Sequence, residues 1–158
     1  MLASWHIAFT TFMRGPCNSA AAMTTTVRTK GGDETLLGAA SLTAFIATRD
    51  PARARDFYER QLGLRLVDDS AYALAFDANG TMLRVQIVES FSPHPFTALG
   101  WQVANIDAVV DALAAKKIAT ERYPGMDQDG RGIWRSPSGA RVAWFKDPDG
   151  NTLSLTQR

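Results

Sequence analysis

Apolar and polar residues alternate along Ser41–Thr48, and this pattern predicts a β-strand. Thr43, Phe45 and Ala47 lie on one side of it. Asn79-Gly80, farther along, is a strong hairpin signal because both residue types tolerate the backbone of a tight turn. Three further strands are therefore predicted around this turn: Leu64–Asp68, Tyr72–Asp77 and Met82–Val88.

A helix is predicted between the first two strands. Asp50 suits the N-cap and Pro51 the first helical position. The helical pattern ends at Gly63, a residue type that commonly terminates helices. The apolar stripe consists of Ala54, Phe57, Tyr58 and Leu62.

The second half of the chain repeats the order strand, helix and three strands. When Thr43 is aligned with Ala98, Asp50 falls on Asn105, which caps the second predicted helix. Because neither half can close a core alone, we expect all strands to form one curved sheet with the helices outside. The predicted elements are a strand at Thr97–Val103, a helix at Asn105–Lys116, a strand at Ile118–Tyr123 and a final hairpin at Arg141–Phe145 and Thr152–Thr156.

Three segments of the chain carry a family resemblance. They are Asp50 with Ala54–Tyr58, then Leu62–Leu64, and finally Phe145–Asn151, whose Asp-Pro-Asp-Gly turn joins the last two strands. In order and spacing they resemble the vicinal oxygen chelate superfamily of glyoxalases, bleomycin-resistance proteins and extradiol dioxygenases. The resemblance covers residues 41–157.

This resemblance implies an α+β fold in which two βαβββ modules, residues 41–96 and 97–158, form an eight-stranded open cup with helices outside. It also implies a homodimer that holds a ligand or metal inside the cup. Metal-using members bind a divalent ion through a His or Gln, a Glu, a His and a Glu on the first, fourth, fifth and eighth strands. Imidazole and carboxylate supply the lone pairs that such an ion needs. Carried over by spacing, these positions are Thr43, Gln86, Ala98 and Ser154.

None of these four residues is a histidine or an acid, so no catalytic metal and no cofactor are predicted. The chain has two histidines, His6 and His94. A displaced metal site at His94 and Glu89 is one interpretation of the linker between modules. The other is a polar loop stiffened by Pro93 and Pro95.

The cup is instead predicted to bind a small, partly aromatic or carbonyl-bearing molecule. Arg84 either pairs with a carboxylate of this ligand or lies in water at the rim. Trp134 lies in the long loop Pro124–Gly139, which acts as a lid or dimer contact unless the indole plugs the core. The candidate ligand-binding residues are Thr43, Phe45, Arg84, Gln86, Gln102, Trp134 and Ser154.

Composition excludes several other classes of protein. Lys plus Arg total 17 and Asp plus Glu 16, dispersed along 158 residues, which argues against nucleic acid or an anionic membrane as partner. Cys17 is the one cysteine, so a reducing cytoplasm suits the chain. No apolar run reaches the length of a membrane span. Residues 1–40 are expected to be a flexible extension, with Met23 as an alternative start of translation.

These observations predict a cytoplasmic homodimer that binds a small organic molecule for sequestration or sensing. The alternative is an enzyme of the superfamily, a lyase, isomerase or dioxygenase. Such an enzyme either uses rearranged metal ligands or needs no metal and relies on Tyr123, Arg84 or a water held by Gln86.

Overall fold

Hydrogen bonds organise the strands into two four-stranded mixed sheets. The structure is a computed structural model that describes residues 36–158. The first sheet has the order β1-β4-β3-β2 and the second β5-β8-β7-β6. Within each, the first and last strands of the module are parallel neighbours, and the other pairs are antiparallel. The strands are β1 (Thr43–Thr48), β2 (Arg65–Asp69), β3 (Ala73–Ala78), β4 (Thr81–Ile87), β5 (Thr97–Gln102), β6 (Trp134–Arg135), β7 (Arg141–Lys146) and β8 (Thr152–Gln157).

Both predicted helices form, each with its predicted cap. Asp50 Oδ1 accepts the Arg53 N–H at 3.0 Å and begins α1 (Pro51–Arg55), which continues as a π-helix at Asp56–Gln61. Asn105 Oδ1 accepts the Ala108 N–H at 3.1 Å and begins α2 (Ile106–Ala115). These side chains satisfy backbone N–H groups that have no partner within the helix.

The core lies between the sheets and the helices. Ile46, Val85 and Leu153 point into it and are at most 6% exposed, whereas Phe45 and Gln86, one position away, are exposed. This alternation confirms the predicted sidedness of β1. We call the side of each sheet that faces away from the helices its cup face. On the first sheet it carries Thr43, Phe45, Ala47, Ala73, Ala75, Met82, Arg84 and Gln86, and on the second Gly100, Gln102, Trp144, Thr152, Ser154 and Thr156.

The buried carboxylate of Asp147 ties the closing turn to the first module. Its Oδ2 accepts the Tyr58 hydroxyl at 2.8 Å, and its Oδ1 accepts the backbone N–H groups of Asp149 and Asn151 at 3.0 and 2.8 Å. The Asn151 side-chain amide donates to Asp147 and to the carbonyl of Ala47 at the end of β1. Burial, followed by the Asp147 charge, raises the pKa of Tyr58, so its hydroxyl stays a neutral donor.

Two predictions about the sheets are wrong. The strands do not join into one curved sheet, since β1 and β5 approach each other with no ladder between them in the described residues. The segment Ile118–Tyr123 is not a regular strand. Only Thr120 forms a bridge to Phe145, and Glu121 N donates to the Trp144 carbonyl at 2.7 Å.

The physical reason lies at both ends of that segment. It begins just after Lys117, whose φ of 62° turns the chain sharply, and it ends before Pro124, which has no N–H to extend a ladder. The edge of β7 is therefore shared, with Thr120 and Glu121 at one end and β6 at the other.

The expectations for residues 1–40, including Cys17, His6 and the start at Met23, fall almost entirely outside the described residues. One compact unit comprises Ala39–Arg158. Across residues 36–158, no helix combines the length and hydrophobicity needed to cross a bilayer.

We predict that Tyr58→Phe lowers the free energy of unfolding by about 1–3 kcal/mol, because a buried carboxylate oxygen loses its hydroxyl donor. Urea denaturation measures this. Tyr72→Phe is the matched control, since Tyr72 is 82% exposed and makes no side-chain hydrogen bond in the described residues. Equal stability of the two variants would contradict a stabilising role for the Tyr58–Asp147 contact.

Candidate functional site

The cup face of the first sheet brings Arg84 and Gln86 together with apolar neighbours. Register pairs Phe45 with Arg84 across β1 and β4, and Arg84 with Ala75 across β4 and β3. The next row on this face consists of Ala47, Gln86 and Ala73. Arg84 therefore lies between a phenyl ring and a methyl group, and neither offers it a hydrogen-bond acceptor.

Arg84 is half-buried, and its side chain has no hydrogen-bond or ion-pair partner in residues 36–158. The remaining arginines with no such partner, Arg135 and Arg158, are exposed. Arg53 and Arg122 donate to backbone carbonyls. Six others pair with carboxylates: Arg49, Arg55, Arg60, Arg65, Arg131 and Arg141.

Strand register corrects one of the four positions inferred from spacing. The alignment of Thr43 with Ala98 also aligns Phe45 with Gly100. Phe45 pairs with Arg84, and Gly100 pairs with Ser154. The counterpart of Ser154 on the fourth strand is thus Arg84, two residues before the predicted Gln86. Spacing in the sequence could not settle this, because Arg84 and Gln86 have the same parity.

The cup face of the second sheet is covered by its own Trp144. The indole N–H donates to Thr97 Oγ1 at 3.1 Å, and because β8 lies between their two strands the ring crosses it. This explains why Thr152 and Ser154 face the cup and are nevertheless only 5% and 8% exposed. A Cβ on Gly100 would lie 2.7 Å from Ser154 Oγ, so the serine hydroxyl fills the space above that glycine.

Two further aromatic rings pack against Trp144. Tyr123 packs edge-on against it at 5.5 Å between ring centres, and Trp134 lies at 6.1 Å. Burial, followed by the Glu121 charge, raises the pKa of Tyr123, so its phenol keeps its proton at neutral pH. Trp144 was not predicted as a site residue, although it lies on the same face of β7 as Val142, the partner of Trp134.

The loop that precedes Trp134 is fastened to the body of the domain. Arg122 Nη2 donates to the Gly130 carbonyl at 2.7 Å, and Gln128 Nε2 donates to the Gly132 carbonyl at 2.8 Å. Arg131 donates two hydrogen bonds, of 2.7 and 3.1 Å, to the carboxylate of Asp111 on α2. Ile133, not Trp134, belongs to the buried core cluster. Trp134 is half-buried beside Trp144, and a lid motion of this loop would have to break the contacts above.

The donor set at the four positions, with Arg84 in place of Gln86, does not fit a divalent metal ion. Thr43 and Ser154 offer only neutral hydroxyls, Ala98 offers no lone pair, and Arg84 is a fixed cation. Within residues 36–158, no cluster of three His, Cys, Asp or Glu side chains is arranged to hold a metal. His94 instead stacks on Phe96 with 5.0 Å between ring centres, so the structure gives no support to a displaced site with Glu89.

Gln102 is the remaining predicted site residue. It is exposed at the end of β5, where it pairs with Thr156. Thr43 is also exposed, and it pairs with Met82 at the opposite end of the first sheet's cup face from Gln86. Thr43, Phe45, Arg84 and Gln86 of the predicted set therefore lie together on the cup face of the first sheet.

A crevice of about 630 Å³ lies outside the cup, between the π-helix and residues 117–121. Several of its charged wall residues already have partners, since Asp56 accepts from Gln61 and Lys146 donates to Thr152 Oγ1 at 2.6 Å. We interpret it as a groove between packed elements and not as the ligand site.

Comparison with protein families identifies the class. Residues 39–155 match the family model described as the Glyoxalase/Bleomycin resistance protein/Dioxygenase superfamily. The chain belongs to this superfamily, as its paired βαβββ modules and terminal Asp-Pro-Asp-Gly turn indicate. No curated protein matches it.

Solved structures show the same fold at low sequence identity. A glyoxalase/bleomycin resistance protein/dioxygenase from Alicyclobacillus acidocaldarius is 20% identical, with a TM-score of 0.58, 74% of this chain covered and 89% of that one. Lactoylglutathione lyase from Agrobacterium tumefaciens is 18% identical, with a TM-score of 0.60 and coverage of 75% and 93%. A genomically encoded fosfomycin resistance protein from Listeria monocytogenes is 12% identical, with a TM-score of 0.60 and coverage of 74% and 91%.

We predict that acid releases the loop before Trp134. The Arg131 hydrogen bonds lower the pKa of Asp111 in the folded protein. A lowered folded-state pKa means that the pair stabilises the fold above the unfolded value, about 3.9, and that this contribution is lost as pH falls through the folded value. The protection factors of the amides of residues 128–132, which are corrected for the intrinsic pH dependence of exchange, should therefore fall below about pH 4.

Two variants test the cause of this release. Asp111→Asn should expose the loop amides already at neutral pH, and Asp127→Asn, an exposed carboxylate without a hydrogen bond in the described residues, should not. Unchanged exchange in Asp111→Asn would show that the Asp111–Arg131 pair does not hold the loop.

Proposed function

We propose that this protein binds a small organic molecule in its cup without a catalytic metal, for sequestration or sensing. The observation that carries the proposal is the strand register, which puts Arg84 at the fourth-strand position. A guanidinium stays charged at every physiological pH. It repels a divalent cation at the point where metal-using members supply a carboxylate.

The chemistry of the cup favours an organic ligand. Phe45 is 54% exposed, and Gln86 and Gln102 present side-chain amides on the cup faces. Apolar surface with a few convergent polar groups is typical of small-molecule sites. Trp134 and Trp144 add aromatic walls on the second sheet, and the fastened loop favours Trp134 as a fixed wall.

An enzyme that needs no metal is the second candidate. Tyr123 supports it by its position, because its phenol lies beside Trp144 and near Thr152. In such an enzyme the Tyr123 hydroxyl donates a hydrogen bond to the substrate and Arg84 orients an anionic substrate. The similar structures from Agrobacterium tumefaciens and Listeria monocytogenes carry the names of a lyase and a resistance protein, and below 25% identity they support the fold alone.

We also propose that the protein is a cytoplasmic homodimer. The support is the set of large apolar side chains that one copy leaves exposed, since such surface is costly in water and commonly marks contacts between chains. These residues include Leu42, Met82 and Phe96.

Native mass spectrometry of protein purified without chelator tests these points together. We expect a dimer mass, no stoichiometric metal, and an organic adduct of a few hundred daltons, about the size of small-molecule ligands, that is lost on denaturation. The denatured protein provides the reference mass. A stoichiometric divalent metal per chain, confirmed by elemental analysis, would overturn the metal-free proposal.

A further inference from the structure

We propose that the ligand of the cup is a small carboxylate with an aromatic body, bound by Arg84 and Phe45 on the first sheet. This inference rests on the proposed function and specifies the chemical class of the ligand. The juxtaposition that carries it is a half-buried arginine, Arg84, which has no partner for its guanidinium in residues 36–158 and pairs directly across two strands with the exposed Phe45.

Charge is the first step of the argument. A partly desolvated cation is costly unless it is paired, and a guanidinium binds a carboxylate through two parallel hydrogen bonds. Eight other arginines of the described chain have acceptors, as shown above. Arg84 is half-buried and has none in residues 36–158, so its donors remain available to a ligand.

Nearby acids do not neutralise Arg84. Asp68 lies in the same row, but Ala75 of β3 stands between them. Two strand spacings place the backbones of Asp68 and Arg84 about 10 Å apart, and they form no ion pair. Asp77 is paired with Arg65 at 2.8 Å. The positive charge therefore needs an external anion.

Phe45 indicates that the part of the ligand beyond its carboxylate is an aromatic ring. Its ring is 54% exposed on a strand whose buried face is well packed, and its direct partner across the sheet is Arg84. An aromatic ring that packs against Phe45 removes this surface from water and gains the favourable geometry of paired rings. A phosphate or a simple aliphatic acid would leave that surface exposed.

Gln86 adds a second polar contact. It follows Arg84 by two residues on the same cup face, a distance of about 7 Å along the strand. Its amide can both donate and accept. An aromatic acid with a hydroxyl or carbonyl opposite its carboxylate can therefore satisfy Arg84 and Gln86 together.

Titration of ¹⁵N-labelled protein with benzoate and with the neutral isostere benzamide tests the inference by NMR. We expect benzoate to shift the amide signals of β1 and β4, and to bind at least tenfold more tightly than benzamide. We expect 4-hydroxybenzoate to bind more tightly than benzoate. This comparison uses the wild-type chain and needs no variant to fold.

Variants then assign the contacts. Arg84→Gln should weaken benzoate at least tenfold and leave benzamide unchanged, and Arg84→Lys should recover part of the loss. Arg60→Gln is the matched control, because it removes one positive charge from an exposed helix residue whose partner Asp56 is also exposed. Phe45→Ala should weaken both compounds.

The outcomes separate this inference from the proposed function. If benzamide and benzoate bind equally at β1 and β4, the inference that the ligand is a carboxylate is overturned, while the proposal that the cup binds a small molecule still stands. Benzoate binding that Arg60→Gln and Arg84→Gln reduce equally would show a general charge effect and overturn Arg84 as the contact. Absence of benzoate shifts on β1 and β4 would also overturn the inference, and an organic adduct in the native mass spectrum would then still support the proposed function.

Discussion

The fold depends on the buried carboxylate of Asp147. A buried charge is tolerated only when its oxygens are satisfied, and here four donors meet them, from Tyr58, from the backbone of Asp149, and from both the backbone and the side chain of Asn151. Two of these residues also connect the modules, because Tyr58 belongs to the first helix and Asn151 donates to Ala47 of β1. One side chain therefore fixes where the second module lies on the first, and with it where the two cup faces begin.

The two cup faces differ in chemistry, although both belong to modules of the same topology. On the second sheet Trp144 reaches across β8 to Thr97 and shields Ser154, so that face supplies its own aromatic cover. On the first sheet Arg84 and Phe45 remain without partners in the described chain. A pseudo-symmetric fold thus carries a filled half and an available half, and the available half presents the guanidinium of Arg84. In our proposal, the fold of the superfamily is retained while Arg84 replaces a carboxylate at one of the inferred metal positions.

Local patterns in the sequence were sufficient for most of the fold. Caps at Asp50 and Asn105 and the turn at Asp147 involve neighbouring residues, so their chemistry is visible in sequence, as is the alternation that separates Phe45 from Ile46. What the sequence could not provide was register, because a shift of two residues preserves parity, and Gln86 was therefore chosen where Arg84 belongs. The prediction of a strand at Ile118–Tyr123 was wrong for a related reason. The sequence pattern fits a strand, but Lys117 and Pro124 limit the segment to one bridge.

Paramagnetic broadening by Mn²⁺ tests the central claim, an anion site at the position of a metal site, most directly. With Mn²⁺ added to ¹⁵N-labelled protein, the account predicts that amide signals near Arg84, Phe45 and Gly100 keep their intensity, while signals near exposed carboxylates such as Asp127 weaken. Selective loss of the signals around Arg84 and Ser154 at substoichiometric Mn²⁺ would contradict it, because a divalent cation would then occupy the cup despite the guanidinium.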